Sequence, residues 1–130
     1  MEYVKSFREL EVYKFARQLS KNIFEVSKSF PKEEMYSLTD QVRRSSRSIG
    51  AQIAEAWGKR RYEKHFTSKL TDADGEQLET QHWIETALDC SYISQKFADD
   101  LLKECASIGK MLNSMILKSN LFCGSPNSNV

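Results

Sequence analysis

The stretch Phe97-Ala98-Asp99-Asp100-Leu101-Leu102-Lys103-Glu104-Cys105-Ala106-Ser107-Ile108-Gly109-Lys110-Met111-Leu112-Asn113-Ser114-Met115 decides the fold class. Phe97, Leu101, Cys105, Ile108, Leu112 and Met115 step by four and three, the spacing of one face of an α-helix. Working outward from it, three more segments carry the same period. Val12, Ala16, Leu19, Ile23, Val26 and Phe30 mark a first helix, roughly 7–29. Leu38, Val42, Ile49, Ile53 and Ala56 mark a second, roughly 31–57, with Ser45 or Ser46 where an apolar residue is missing. Phe66, Leu70, Ala73, Ile84 and Leu88 mark a third, roughly 62–91, interrupted by Gln77, Thr80 and Gln81. The fourth runs roughly 94–119. Pro31 suits the first position of a helix, and Gly58 suits the left-handed residue that ends one. Four amphipathic helices on short links predict an all-α fold, an antiparallel up-down-up-down four-helix bundle over 1–119. Residues 120–130, with Gly124, Pro126 and three Asn, read as a disordered tail.

The whole chain has 130 residues, enough for one domain and too few for a second core. At 40% hydrophobic and 28% charged, with five Gly and two Pro, it is neither disordered nor collagen-like. The opening Met1-Glu2-Tyr3-Val4-Lys5-Ser6-Phe7 has no apolar run of signal-peptide type. No stretch reaches the roughly 18 apolar residues of a membrane span. The expected location is cytoplasmic, with no membrane partner. Cys90, Cys105 and Cys123 show no CxxC spacing and read as small core or surface residues rather than disulfides.

The net charge of +1 argues against a protein that coats nucleic acid by bulk charge. Its distribution is uneven. Residues 40–70 carry eight basic and three acidic side chains, and residues 71–104 carry two basic and nine acidic. The second helix and its following turn are therefore basic, and the third helix is acidic. The basic residues fall in two groups, Arg43, Arg44 and Arg47, then Lys59, Arg60, Arg61 and Lys64, with Trp57, Tyr62 and His65 interleaved. Arginine beside aromatics holds phosphates and stacks on unpaired bases. Two readings stay open. The first group binds nucleic acid or pairs with Asp72, Glu76 and Glu79, which share one face of the third helix. The second group binds nucleic acid or is a solvated turn. Gln41, Ser45, Ser48, Gln52 and Glu55 form a polar stripe that reads as an interface or a satisfied buried network. Trp83 lies beside the core stripe of its helix, at a core edge or an oligomer interface.

Catalytic patterns are missing. There is no glycine-rich phosphate loop and no GxSxG elbow. Glu79-Thr80-Gln81-His82 is a single Glu-x-x-His, where a di-iron bundle needs two. Cys90 and His82 are eight residues apart, more than two helical turns. No enzyme activity, metal or cofactor is expected.

Several ordered strings resemble one family. They are Phe7-Arg8-Glu9-Leu10-Glu11-Val12-Tyr13-Lys14, Phe30-Pro31-Lys32-Glu33-Glu34-Met35-Tyr36-Ser37-Leu38, Gln41-Val42-Arg43-Arg44-Ser45, and Ser48-Ile49-Gly50-Ala51-Gln52-Ile53-Ala54-Glu55-Ala56-Trp57-Gly58. Over about 7–118 the chain resembles the four-helix-bundle proteins related to the 23S rRNA intervening-sequence protein. Where that pattern reads Asn-Ile-Ala-Glu-Gly, this chain has Gln52-Ile53-Ala54-Glu55-Ala56, as a divergent branch would. The resemblance implies a left-handed antiparallel bundle and, in related members, a cyclic homopentamer with a central channel. Relatives include the accessory protein of diversity-generating retroelements, which binds nucleic acid and a reverse transcriptase through basic surfaces. By that likeness Arg43, Arg44 and Arg47 are family-matched basic positions, and the Lys59–Lys64 segment matches a basic stretch. The expectation is a non-enzymatic homo-oligomer that binds RNA or DNA backbone through the second helix and the turn after it. The alternative is a protein-interaction or scaffold module, with a partner such as a reverse transcriptase and no nucleic acid.

Overall fold

The structure is a computed structural model that describes residues 4–123. Its four helices are α1 (Glu11–Ser27), α2 (Leu38–Gly58), α3 (Glu63–Asp89) and α4 (Gln95–Leu117). Three short 3-10 turns, Phe7–Glu9, Lys32–Glu34 and Ser119–Leu121, flank them, and there is no strand among the described residues. Each helix packs on the next, and α1 closes against α4. With links this short, neighbours run antiparallel, which gives the expected four-helix up-down-up-down order. Of the expected tail, residues 120–123 turn back onto the bundle, where Phe122 stacks on Phe66 at 5.9 Å. Residues 124–130 lie outside the described residues.

The apolar stripes meet along the bundle axis. Leu19, Ile49, Ile53, Phe66, Leu70, Ile108 and Leu112 are fully buried. Two details differ from the periodicity. In α4 the stripe is headed by buried Ala98, whereas Phe97 is 55% exposed. Phe97 is four residues from Leu101 and Ala98 is three, so both satisfy a helical period and only packing chooses. In α3 the polar interruptions are part of the core, since Gln77 and Thr80 are buried.

Those buried polar groups are satisfied, Thr80 across helices and Gln77 within its own. Thr80 Oγ1 lies 2.8 Å from Ser45 Oγ of α2 and 2.9 Å from the Glu76 carbonyl oxygen. The Gln77 amide donates to Asp74 at 2.9 Å and accepts from Gln81 at 2.8 Å. It also presses on α4. A Cβ at Gly109 would stand 2.9 Å from Gln77 Nε2, so glycine makes room for the amide. Both candidates for the gap in the α2 stripe, Ser45 and Ser46, are buried.

The helix ends also correct the sequence reading. Pro31 precedes a 3-10 turn, and α2 begins seven residues later at Leu38. Gly58 is the last residue of α2, and no described glycine has positive φ. The left-handed residue is Ser91, at φ 60°. It closes α3, with Tyr92 N–H donating to the Ala87 carbonyl and Ser91 N–H to the Leu88 carbonyl, each at 2.9 Å. At the same end of the bundle, Tyr92 donates its hydroxyl to Glu34 at 2.8 Å. That hydrogen bond, with burial and the nearby negative charge, pushes the phenol up to about 12 and ties the two links together. No described helix is long and apolar enough to cross a membrane.

The Ser45–Thr80 contact makes a testable claim. Thr80→Val leaves the buried Ser45 hydroxyl with only its 3.4 Å bond to the Val42 carbonyl and is expected to cost about 1–2 kcal/mol. Ser45→Ala/Thr80→Val removes both partners and should recover part of that loss. Thermal and urea unfolding of the four proteins of the cycle give the coupling, and strict additivity would mean the two hydroxyls do not act as a pair.

Candidate nucleic-acid interface

The two basic groups sit far apart, one on α2 and one in the turn that follows it. Thirteen residues separate Arg47 from Arg60, about 20 Å along a helix axis. They cannot hold one phosphate together.

The first group divides by its neighbours. Half-buried Arg43 faces α1, where its Nε donates to Ser27 Oγ at 2.8 Å and its guanidinium lies 4.7 Å from the Phe24 ring centre. That is a clamp between two helices. Exposed Arg47 also reaches Phe24, at 5.7 Å. Exposed Arg44 lines a groove with Arg47, Gln41, Ser48, Glu76 and Glu79 on the α2/α3 side. Opposite charges share that groove, yet neither Arg44 nor Arg47 comes within 4.0 Å of a carboxylate among the described residues. The intrachain pairing with Asp72, Glu76 and Glu79 therefore does not form. Burial, together with repulsion from Glu79 and Asp72, raises the Glu76 carboxyl above its ordinary range. The polar stripe has split as well. Ser45 joins the core, and Gln52 and Glu55 hold Lys69 at 3.3 and 2.9 Å.

The second group occupies the turn from α2 to α3. Lys59, Arg61 and Lys64 are exposed, and none has a carboxylate within 4.0 Å among the described residues. Arg60 is fixed. Its guanidinium lies 3.5 Å from the Trp57 ring centre and its Nε donates to the Trp57 carbonyl at 2.8 Å. Partial burial there lowers its pKa, and arginine stays protonated all the same because its ordinary value is so high. Tyr62, 59% exposed, leans on His65 with ring centres 5.4 Å apart. Glu63, the acid inside the turn, accepts a hydrogen bond from Ser119 and so faces α4's end rather than the cations. Four cations and two accessible rings thus share one end of the bundle.

The remaining candidates for chemistry are dispersed. Trp83 is half-buried at the core edge and donates to Glu79 at 2.9 Å. Burial pushes the Cys105 thiol up to about 12, which leaves it without thiolate at neutral pH. Cys90 is exposed and Cys123 half-buried. No group of three or more His, Cys, Asp and Glu gathers among the described residues. Charge arithmetic by region hid one further set of cations. Lys14, Arg17 and Lys21 step by three and four along α1 and line a recess with Arg47, but nearby glutamates cancel them in the sum.

Compared with known proteins, residues 8–114 match the 23S rRNA-intervening sequence protein family. The chain belongs to that family. A solved structure of a protein of unknown function from the S23 ribosomal protein family, from Bacteroides thetaiotaomicron, is similar to it. The two share 28% identity at a TM-score of 0.74, over 82% of this chain and 95% of that one. No curated protein matches. In this family member the Gln-x-Arg-Arg string thus contributes one clamp, Arg43, and one free cation, Arg44.

That division is measurable. Arg43→Gln should lower stability by about 1–2 kcal/mol, through loss of the Ser27 hydrogen bond and the Phe24 contact. Arg44→Gln should leave stability within about 0.5 kcal/mol, as expected for an exposed site. Chemical denaturation of both variants checks the contrast, and equal losses would contradict the clamp.

Proposed function

We propose that this protein is a non-enzymatic oligomer that binds the backbone of nucleic acid through its basic α2–α3 turn. One observation carries the reading. Lys59, Arg61 and Lys64 stand exposed and unpaired among the described residues, beside Arg60 held on Trp57. An arginine fixed in advance loses little side-chain freedom on binding. Exposed Tyr62 and His65 offer ring faces to bases. Arg44 and Arg47 would extend the positive surface along α2.

Self-association is supported by the other groove. Arg44 and Glu79 line it without an intrachain ion pair among the described residues, and Glu76 is crowded by its acidic neighbours. A second copy can supply the missing counter-charges. A cyclic assembly, as in the homopentamers of related members, would repeat one modest basic patch around a ring and convert weak sites into avidity. The protein-interaction reading, with a partner such as a reverse transcriptase, draws on the same unpaired charges. It predicts no affinity for RNA or DNA.

Fluorescence anisotropy with a structured RNA and a matched DNA duplex tests the binding. Log affinity is expected to fall linearly with log salt, as phosphate contacts require. Lys59→Glu/Arg61→Glu/Lys64→Glu should abolish binding while leaving the unfolding midpoint within a few degrees. Undiminished affinity in that variant would remove the turn from the interface. Light scattering should give a mass several times 15.0 kDa for the wild type. Arg44→Glu should lower that mass, and adding Glu79→Arg should restore it. A wild-type monomer would end the oligomer reading.

A further inference from the structure

We infer that the recess between α1 and α2 holds the phosphodiester backbone of a single nucleic-acid strand that continues from the α2–α3 turn. This rests on the nucleic-acid reading above and adds a second site to it. The recess measures about 550 Å³. Lys14, Arg17 and Lys21 line it from α1 and Arg47 from α2, and no carboxylate is among its lining residues. Its remaining α2 wall is Gly50, Ala51 and Ala54, side chains too small to fill the space between the helices.

The cations form a row rather than a cluster. Seven residues from Lys14 to Lys21 span about 10 Å. Successive phosphates lie farther apart along one backbone than their axial spacing of about 3.4 Å in a duplex, so the row meets roughly two of them. Two of its members are held in place. The Arg17 Nη1 donates to the Tyr13 hydroxyl at 3.3 Å, and its guanidinium lies 5.9 Å from that ring's centre. Arg47 rests near Phe24. Lys14 reaches Glu11 at 3.4 Å, but both side chains are mostly exposed, and such a pair yields readily to a phosphate. Phe7 and Tyr13, edge-to-face at 4.9 Å, add an aromatic wall.

Size and position select the occupant. The recess is in the range of small-ligand pockets, so a duplex cannot enter it and one strand can. Cations strung along a row suit successive phosphates better than a single phosphate group. Ala54 of the recess lies one turn before Trp57, the residue that carries Arg60. A strand leaving the turn therefore has about one helical turn to cross before it meets the recess wall.

The test uses the full chain with a labelled single-stranded RNA of about 20 nucleotides and the corresponding duplex. Lys14→Gln/Arg17→Gln/Lys21→Gln is compared with Lys96→Gln/Lys103→Gln/Lys110→Gln, which removes the same charge from exposed positions on α4. Circular dichroism and unfolding midpoints establish that both variants are folded. The recess variant should bind the single strand at least tenfold more weakly at about 0.1 M salt. Its log–log salt slope should be shallower by about 1.4, from roughly two lost contacts at about 0.7 each. The α4 control should stay within about twofold of wild type, and duplex affinity should respond equally little to both variants. Wild-type affinity and slope in the recess variant, with binding still lost in the Lys59→Glu/Arg61→Glu/Lys64→Glu protein, would overturn the recess and leave the turn standing. A wild type that binds no nucleic acid would overturn both. Unchanged affinity with a changed mass by light scattering would assign the recess to a neighbouring copy instead and overturn the proposal.

Discussion

Ser45 and Thr80 meet at 2.8 Å inside the α2/α3 interface, and much of the molecule is arranged around that meeting. Two small hydroxyl side chains let the central helices approach closely while satisfying each other in a place without water. Gln77, one turn before Thr80, packs toward α4, where Gly109 leaves space for its amide, and makes its hydrogen bonds with Asp74 and Gln81 of its own helix. The third helix thus docks on both neighbours through buried polar groups set among Phe66, Leu70, Ala73 and Ile84. That explains why its apolar stripe looks broken in the sequence although its inner face is continuous in the bundle.

The docking of α2 between α1 and α3 also sorts its charges. A helix of 21 residues presents different side chains to each neighbour. Arg43 turns toward α1 and is captured by Ser27 and Phe24. Arg44 turns toward α3 and faces Glu76 and Glu79 across an open groove. Arg47 borders both grooves. Three arginines that look equivalent in sequence are thereby given three different surroundings. The turn at the end of α2 is different in kind. It is short, and its one acid is drawn away by Ser119. Lys59, Arg61 and Lys64 are therefore left exposed to water, beside Arg60 held on Trp57.

The four helices and the charge segregation between α2 and α3 were legible in the sequence, because hydrophobic period and local charge are properties of neighbours along the chain. The helix starts were less so. Pro31 is a good first residue for a helix, but here it opens a 3-10 turn, whose Glu34 accepts from Tyr92 of the opposite link and from the Leu38 N–H that starts α2. Gly58 can adopt the left-handed conformation and does not need to, because the chain continues through Lys59 into the turn. Ser91 adopts it instead, where the α3–α4 link reverses direction. The row Lys14, Arg17 and Lys21 was visible as a spacing, yet it gains meaning only beside Arg47 and the small residues of α2.

The sequence by itself determined the fold class, the number of helices, the inner face of three of them and the opposite charge of the α2 region and α3. All of these follow from residues three and four apart, or from plain counting. Only the tertiary structure decided which arginine is a clamp and which is free, that the polar residues of α3 belong to the core, and that cations from two helices border one recess. Those properties depend on which face of one helix meets which face of another. That is set by side-chain volume and by the pairing of buried polar groups across the interface, and local spacing carries no record of it.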